Sequence, residues 1–440
     1  MSKSSFLNDI LNNLLSRKNI FGKFYRGNDA NDNFSVENLI DNILNSKDEA
    51  SANIFSEQLF EKIEKFSEEE LLDFFNFISQ NLDIDGEKLL VKVRKFNENN
   101  TPENLKSVIE LSEPKRIKIF SRLNSIDKGT NRLVKLREKL LTLLKEQPNL
   151  RRVDNDFLKL FESWFNKGFL VLRKINWSTP ASILEKVIEY EAVHEINSWN
   201  DLRDRLEPED RLCFSFFHPS MQDEPLIFVV VALMDKKPES IDEVLSQDRD
   251  RLLKGGETSA VFYSISNCQS GLKGISFGNF LIKQVANAIR TEYPNIKEFV
   301  TLSPVPGFME WLKLNNNNFF EKLNDVSLIS KQDKFKDEIF ENALEYFFNS
   351  TRDDSLPNDS VSRFHLGNGA ILDRINFLGD TSEKALKSAA GLMVNYKYDL
   401  DKIEENHEEF FKNNRKFNKE ETEVDKLEVL SDGGFFKQNY

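Results

Sequence analysis

A serine and a histidine carry the clearest chemistry in this 440-residue chain. Ser303 stands in "VTLSPVPGF" (300–308), where a short apolar run ends against Pro304 and Pro306. Proline lacks an N–H and disfavours the α region for the residue before it, so the run must stop at the serine. A hydroxyl at a strand end is ordinarily solvated or bonded to backbone. In a parallel crossover, however, the carboxyl ends of the strands are where ligands bind. No Gly-x-Ser-x-Gly elbow surrounds Ser303, so a standard acyl-serine nucleophile is not indicated. His365 precedes a Gly-Asn-Gly turn in "RFHLGNGAILDRINFLGD" (363–380), a turn that would fix its backbone direction. A lone histidine is more often structural, yet imidazole is the side chain most easily poised to deliver a proton near neutral pH.

Two further stretches could serve such a pair. The segment "QSGLKGISFGN" (269–279) sets Gly271, Gly274 and Gly278 between a strand ending near Ser266 and a helix beginning near Asn279. Glycines let backbone approach a ligand closely, and a helix N-terminus offers free N–H groups and a positive dipole end. That combination suits a pyrophosphate, although glycines at a strand–helix turn also serve structure alone. Neither a Walker loop nor the dinucleotide GxGxxG spacing is present. In "GLMVNYKYDL" (391–400) Tyr396 and Tyr398 alternate and so face one side of a strand, as core tyrosines or as site hydroxyls. His218 in "FFHPSMQDEPL" reads as a strand-end cap or packing residue.

The elements that must position these groups fall into two halves. Residues 1–164 read as helices. Ser67 followed by Glu70 is a capping box, Thr101-Pro102 a cap with proline at the first helical position, and "LVKLREKLLTLLKEQ" (133–147) an amphipathic run. Nothing there gathers reactive side chains, which predicts an all-α assembly domain that does not touch substrate. From about Phe165 the pattern turns to short β-rich runs at 211–217, 225–234, 258–266 and 298–303, with a helix over 279–293. Strand, glycine turn, helix, strand is a βαβ-type crossover. The stretch 349–362 reads as a polar loop. The charge-dense 403–440 reads as an acidic, partly mobile tail, leaving 165–402 as the catalytic domain.

Composition excludes several classes. A net charge of −13 repels nucleic acid and anionic membrane alike. Two cysteines, Cys213 and Cys268, and four histidines without HExxH spacing allow neither a disulfide framework nor a zinc site. No apolar run reaches the roughly 18–20 residues that span a bilayer. The N-terminal "MSKSSFLNDILNNLLSRKNIFGKFYR" is mildly basic and amphipathic. With Asp9 and many asparagines inside it, a surface or interface helix is expected there in place of a transit peptide. A cytoplasmic protein is the expectation.

Taken together, "FFHPSMQDEPLIFVVVALM", "FYSISNCQSGLKGISFGNFLIKQV", "FVTLSPVPGF", "FHLGNGAILDRINFLGD" and "GLMVNYKYDL" resemble the malonyl-CoA decarboxylase family in order and separation, over most of 160–400. The resemblance implies an α+β chain: an N-terminal all-α domain followed by an acyl-CoA N-acyltransferase-like α/β domain. It implies decarboxylation of malonyl-CoA to acetyl-CoA and CO2 without metal or prosthetic group, by a homo-oligomer built through the helices. The family's catalytic serine falls on Ser303, its histidine on His365 and a supporting tyrosine on Tyr398. Its CoA loop falls on Gly271, Leu272, Lys273, Gly274, Ile275, Ser276, Phe277, Gly278 and Asn279. Animal members carry a glutamate where this chain has Ser276, so a role for that carboxylate does not carry over. An N-acyltransferase on the same fold and a non-catalytic acyl-CoA-binding protein are the competing classes.

Overall fold

The computed structural model describes residues 34–246, 255–275, 281–324 and 333–413. The N-terminal 1–33 and the tail beyond 413, on which two of the expectations above rest, lie outside the described residues.

The described residues 34–164 are mainly helical, and local chemistry sets the helix starts. Ser67 Oγ accepts the Glu70 N–H while Glu70 Oε2 accepts the Ser67 N–H at 2.8 Å, the reciprocal cap expected from the sequence. Thr101 caps the helix Pro102–Leu111, and Asp48 and Asp85 cap the helices Glu49–Ile63 and Gly86–Glu98. Each amphipathic run then buries its apolar stripe. Leu71, Phe74, Phe75 and Ile78 do so from Glu68–Asn81, and Leu133, Val134, Leu136 and Leu140 from Gly129–Leu143. Each such side chain contributes about 1.5–3 kcal/mol. Phe120 and Phe157 stack at 4.2 Å between centroids.

The chain divides into two compact units. The first comprises Met1–Trp164 with Ser270–Ile275, and the second Phe165–Gln269 with Ser276–Tyr440. The glycine-rich stretch is thus split, and its residues Ser270–Ile275 belong to the helical unit. There the buried Arg137 is paired with Asp154 at 2.7 Å and donates from Nη1 to Gly271 O (2.8 Å) and Lys273 O (2.9 Å). A Cβ at residue 271 would run into the Val134 carbonyl, so only glycine fits against that helix. The helical unit thus clamps part of the segment read as a ligand loop.

In the second unit, eight strands among the described residues form one mixed sheet. They are β1 (Val171–Ile175), β2 (Arg211–His218), β3 (Met221–Met234), β4 (Ser259–Asn267), β5 (Glu298–Thr301), β6 (Ser303–Pro304), β7 (Ile371–Asn376) and β8 (Met393–Lys397). The order is β1-β2-β3-β4-β5-β8-β6, with β7 on the other side of β8. Only β4 and β5 run parallel, Ser259–Phe262 against Glu298–Thr301, and the helix Leu281–Glu292 makes the crossover between them. It buries Leu281, Ile282, Val285, Ala286 and Ile289. The helical-then-α/β class expected from the sequence holds.

Two stretches differ from the sequence reading. The helix Ser360–Gly367 begins inside the expected polar loop, because Asp359 caps it by accepting the Ser362 N–H at 2.7 Å. The expected tail contributes a helix, Ile403–Asn413, to this unit. Ile403 is fully buried, Asn406 Nδ2 donates to Gly369 O (3.1 Å) and His407 Nδ1 donates to Gly367 O (2.7 Å). The folded unit therefore extends past 402.

Candidate active site

The site assembles where β5 changes partner. Up to Thr301 the strand pairs in parallel with β4, and Leu302 N still donates to Phe262 O at 3.0 Å. Beyond it, Ser303 and Pro304 pair antiparallel with Val394 and Met393 of β8. At the switch, side chains replace ladder bonds. Tyr396 N donates to Thr301 Oγ1 (3.1 Å) in place of a carbonyl, and Asn395 Nδ2 donates to Thr301 O (2.8 Å). Pro304 has no N–H to offer a continued ladder, so the pairing ends at β6, directly after the Ser303 hydroxyl.

The histidine arrives from the helix Ser360–Gly367. Ser362 and His365, three apart, share one helix face, and Tyr396 and Tyr398, two apart, share one strand face. The two faces meet pair to pair. Ser362 Oγ lies 2.6 Å from Tyr396 OH, and His365 Nδ1 lies 2.8 Å from Tyr398 OH. The imidazole also stacks on Tyr396, with centroids 4.6 Å apart. Its other nitrogen, Nε2, is 3.0 Å from Ser303 Oγ, which in turn donates to Thr301 Oγ1 at 2.9 Å. Ser303 and His365 are 5% and 3% exposed, so the pair is screened from bulk water.

A brace fixes the turn after Ser303 to the helix that carries His365. Tyr346 OH donates to Asp359 Oδ2 at 3.2 Å, and a Cβ on Gly307 would lie 2.5 Å from the same hydroxyl. Glycine at 307 is what lets "PVPG" turn past the tyrosine. Burial pushes the Asp359 carboxyl up, while its bonds to Ser362 N and Tyr346 pull it down.

Ionisation follows from burial. Burial holds the His365 ring neutral, its pKa lowered to about 3 by desolvation. The ring at rest is therefore the neutral imidazole. Burial likewise drives Tyr398 and Tyr396 well above the usual phenol range. The pair in the free protein is a neutral, hydrogen-bonded chain.

Ser303, His365 and Tyr398 thus converge within one unit. Thr301, Ser362 and Tyr396 complete the arrangement and were not singled out as site residues by sequence. The period-two tyrosines were the one signal that pointed at Tyr396. His218 packs against Phe165, with ring centroids 4.9 Å apart, and accepts the Ser220 N–H on Nδ1, the local role expected of it. In the glycine-rich stretch, the Lys273 and Ile275 N–H groups close internal turns on Ser270 O and Leu272 O. Ser276, Phe277, Gly278 and Asn279 lie outside the described residues. No group of three or more His, Cys, Asp or Glu among the described residues is arranged to hold a metal ion, and no helix there is long and apolar enough to cross a membrane.

Known proteins share this sequence pattern and this architecture. Residues 168–422 match the malonyl-CoA decarboxylase C-terminal domain family, and residues 82–165 match the malonyl-CoA decarboxylase N-terminal domain family. The mitochondrial malonyl-CoA decarboxylases of Rattus norvegicus and Anser anser anser are 32% and 31% identical, over 64% and 66% of this chain. The match spans 65% and 64% of those relatives' own length, just under two thirds. Crystal structures of malonyl-CoA decarboxylase from Rhodopseudomonas palustris and Agrobacterium vitis superpose with TM-scores of 0.82 and 0.79, both at 44% identity. They cover 86% and 85% of this chain and 95% of each of those chains. With both domain families matched in order, the C-terminal one over more than half of the chain, this chain belongs to the malonyl-CoA decarboxylase family.

Proposed function

We propose that this protein converts malonyl-CoA to acetyl-CoA and CO2, with Ser303 and His365 as the working pair. The observation that carries the reading is the buried 3.0 Å contact between Ser303 Oγ and His365 Nε2, with Tyr398 OH on the opposite ring nitrogen. The chemistry needs an electron sink, and the thioester carbonyl is one: the C–C bond to the carboxylate breaks, its electron pair enters the enolate, and a proton then adds at C2. The protein must hold the carboxylate out of the carbonyl plane, stabilise the enolate oxygen and supply that proton. A positioned donor at such an oxygen is worth about 3–4 kcal/mol.

When substrate binds, the Ser303 hydroxyl turns from Thr301 to donate to the malonyl carboxylate or its neighbouring carbonyl, and His365 delivers the proton. The neutral resting ring fits this role once substrate is considered. A carboxylate entering the site brings the negative charge that the free pair lacks, and an opposite charge nearby favours the imidazolium. The ring sits in the last turn of its helix, where the dipole also favours a cation. The Tyr398 hydroxyl donates to Nδ1 of the neutral ring and can rotate to accept from Nδ1–H of the charged one. Protonating C2 returns the ring to neutral.

By the resemblance, Gly271–Asn279 receives the CoA pyrophosphate, with Lys273 adding positive charge. The helices mediate self-association, a reading supported by Leu90 and Val91 on the helix Gly86–Glu98 and Ile109 on Pro102–Leu111. These are 50%, 62% and 59% exposed. Incubation with malonyl-CoA alone, followed by mass spectrometry, tests the activity. Acetyl-CoA should accumulate without an acceptor; a requirement for an added amine would point to acyl transfer instead.

A further inference from the structure

Ser303 has two neighbours that could take its proton, and the geometry distinguishes between them. The hydroxyl donates to Thr301 Oγ1 at 2.9 Å, and that oxygen also accepts the Tyr396 N–H at 3.1 Å. The Ser303–Thr301 geometry fits donation from Ser303, the Tyr396 N–H occupies one of the two lone pairs of Thr301 Oγ1, and the Thr301 backbone is tied by Asn395 Nδ2 on its carbonyl at 2.8 Å. Thr301 is fully buried and cannot trade these partners for water. With the Ser303 proton committed to Thr301, the remaining contact to Nε2 can only be a bond that the ring donates. Nδ1 must then be the bare nitrogen, which accepts from Tyr398 OH at 2.8 Å. The bonds run in one direction, Tyr398 to His365 to Ser303 to Thr301.

We propose that Thr301 is a positioning residue for the decarboxylation: by accepting the Ser303 proton in the free protein it holds His365 in the Nε2–H tautomer, so that the nitrogen facing the serine already carries its proton before substrate charges the ring. This rests on the activity proposed above. It also gives a reason why Ser303 is not set up as a nucleophile. In a serine hydrolase the imidazole takes the serine proton, whereas here the serine proton points away from the ring. Loss of the threonine hydroxyl leaves Nε2 as the remaining partner of Ser303 Oγ among the described residues, so the chain of bonds reverses and the ring proton moves to Nδ1.

The test combines kinetics with ring-nitrogen NMR on protein labelled with ¹⁵N-histidine, His365 being assigned by its absence in His365→Gln. The wild-type protein without substrate, at pH 7, should show His365 as the Nε2–H tautomer. Thr301→Val should shift the signals toward Nδ1–H and lower kcat by about ten- to a hundredfold, the cost of a misplaced reacting group, with KM for malonyl-CoA little changed. Thr301→Ser keeps the hydroxyl and should stay within a few-fold of wild type in both readouts. An Nδ1–H tautomer in the wild type overturns the proposal and needs no variant to fold. So does a Thr301→Val protein with unchanged kcat and spectrum, or a Thr301→Ser protein as impaired as Thr301→Val. The tautomer is read without substrate, so its outcome is separate from whether malonyl-CoA is turned over.

Discussion

His365 Nε2 and Ser303 Oγ lie 3.0 Å apart although 62 residues of chain separate them. Three devices hold that distance. The β5-to-β8 partner switch presents the serine, the helix capped by Asp359 presents the histidine, and Tyr346 joins the turn after one to the start of the other. Each is a place where a small change should be felt at the pair.

Tyr398→Phe removes the hydroxyl from Nδ1 and little else, since the ring stays packed. The cost of leaving a buried ring nitrogen unpaired is about 1–3 kcal/mol. We expect kcat to fall about tenfold or more, at most a few-fold change in KM, and a lowered melting temperature. Steady-state assay and calorimetry measure both, and full activity in this variant would remove Tyr398 from the mechanism.

The pH dependence follows from the neutral ring. His365 is lowered to about 3 by burial, whereas an unfolded histidine titrates at about 6.5. A folded pKa below the unfolded one means that the unfolded chain takes up the proton first. This contribution to stability is complete above pH 6.5 and is lost as the pH falls from 6.5 toward 3. His194, lowered to about 4 by burial and then by Arg205, acts in the same direction. Denaturant melts at pH 7 and pH 5 should show a loss of stability that is smaller in His365→Gln. For the same reason kcat/KM should show no inflection at about 6.5 from this histidine, because the free protein holds no imidazolium there to titrate.

Gly307→Ala places a methyl group 2.5 Å from Tyr346 OH. Overpacking of this kind costs about 1–3 kcal/mol, and here it pushes Tyr346 off Asp359. A drop in both melting temperature and kcat is expected. If Tyr346→Phe, which relieves the same crowding, restores stability to the double variant but not kcat, then the brace acts through Asp359 and not through packing alone.

Leu90, Val91 and Ile109 are the side chains through which the helical half is proposed to associate. Leu90→Glu combined with Ile109→Glu should shift the particle mass measured by light scattering toward the monomer without changing helix content. A wild-type protein already monomeric at micromolar concentration would reject the assignment.

Much of this arrangement was legible in the sequence, and the rest was hidden for physical reasons. The Ser67 capping box, the apolar stripes and the crossover helix are written in local spacing, and the structure contains them. Ser303 and His365 could be named from the motifs, but not their contact, which depends on a helix starting at Ser360 inside a stretch that looked like polar loop. Its cap, Asp359, is one acidic residue among several in "RDDSLPNDS", and only burial against Tyr346 singles it out. Thr301 was invisible because its role comes from an interrupted ladder, which has no sequence period. The clamp of Arg137 on Gly271 joins residues 134 apart, and a glycine that serves a ligand looks the same in sequence as one that serves a neighbouring helix.

The central claim is that Ser303 and His365 act as one unit in decarboxylation, and the most direct measurement is acetyl-CoA formation from malonyl-CoA by Ser303→Ala, His365→Asn and the double variant. Each single change should lower kcat by about 10²–10⁴-fold. The double variant should lose far less than the product of the two, because removing either partner already disables the unit. Losses that multiply independently, or a His365→Asn protein with near-normal turnover, would contradict the account.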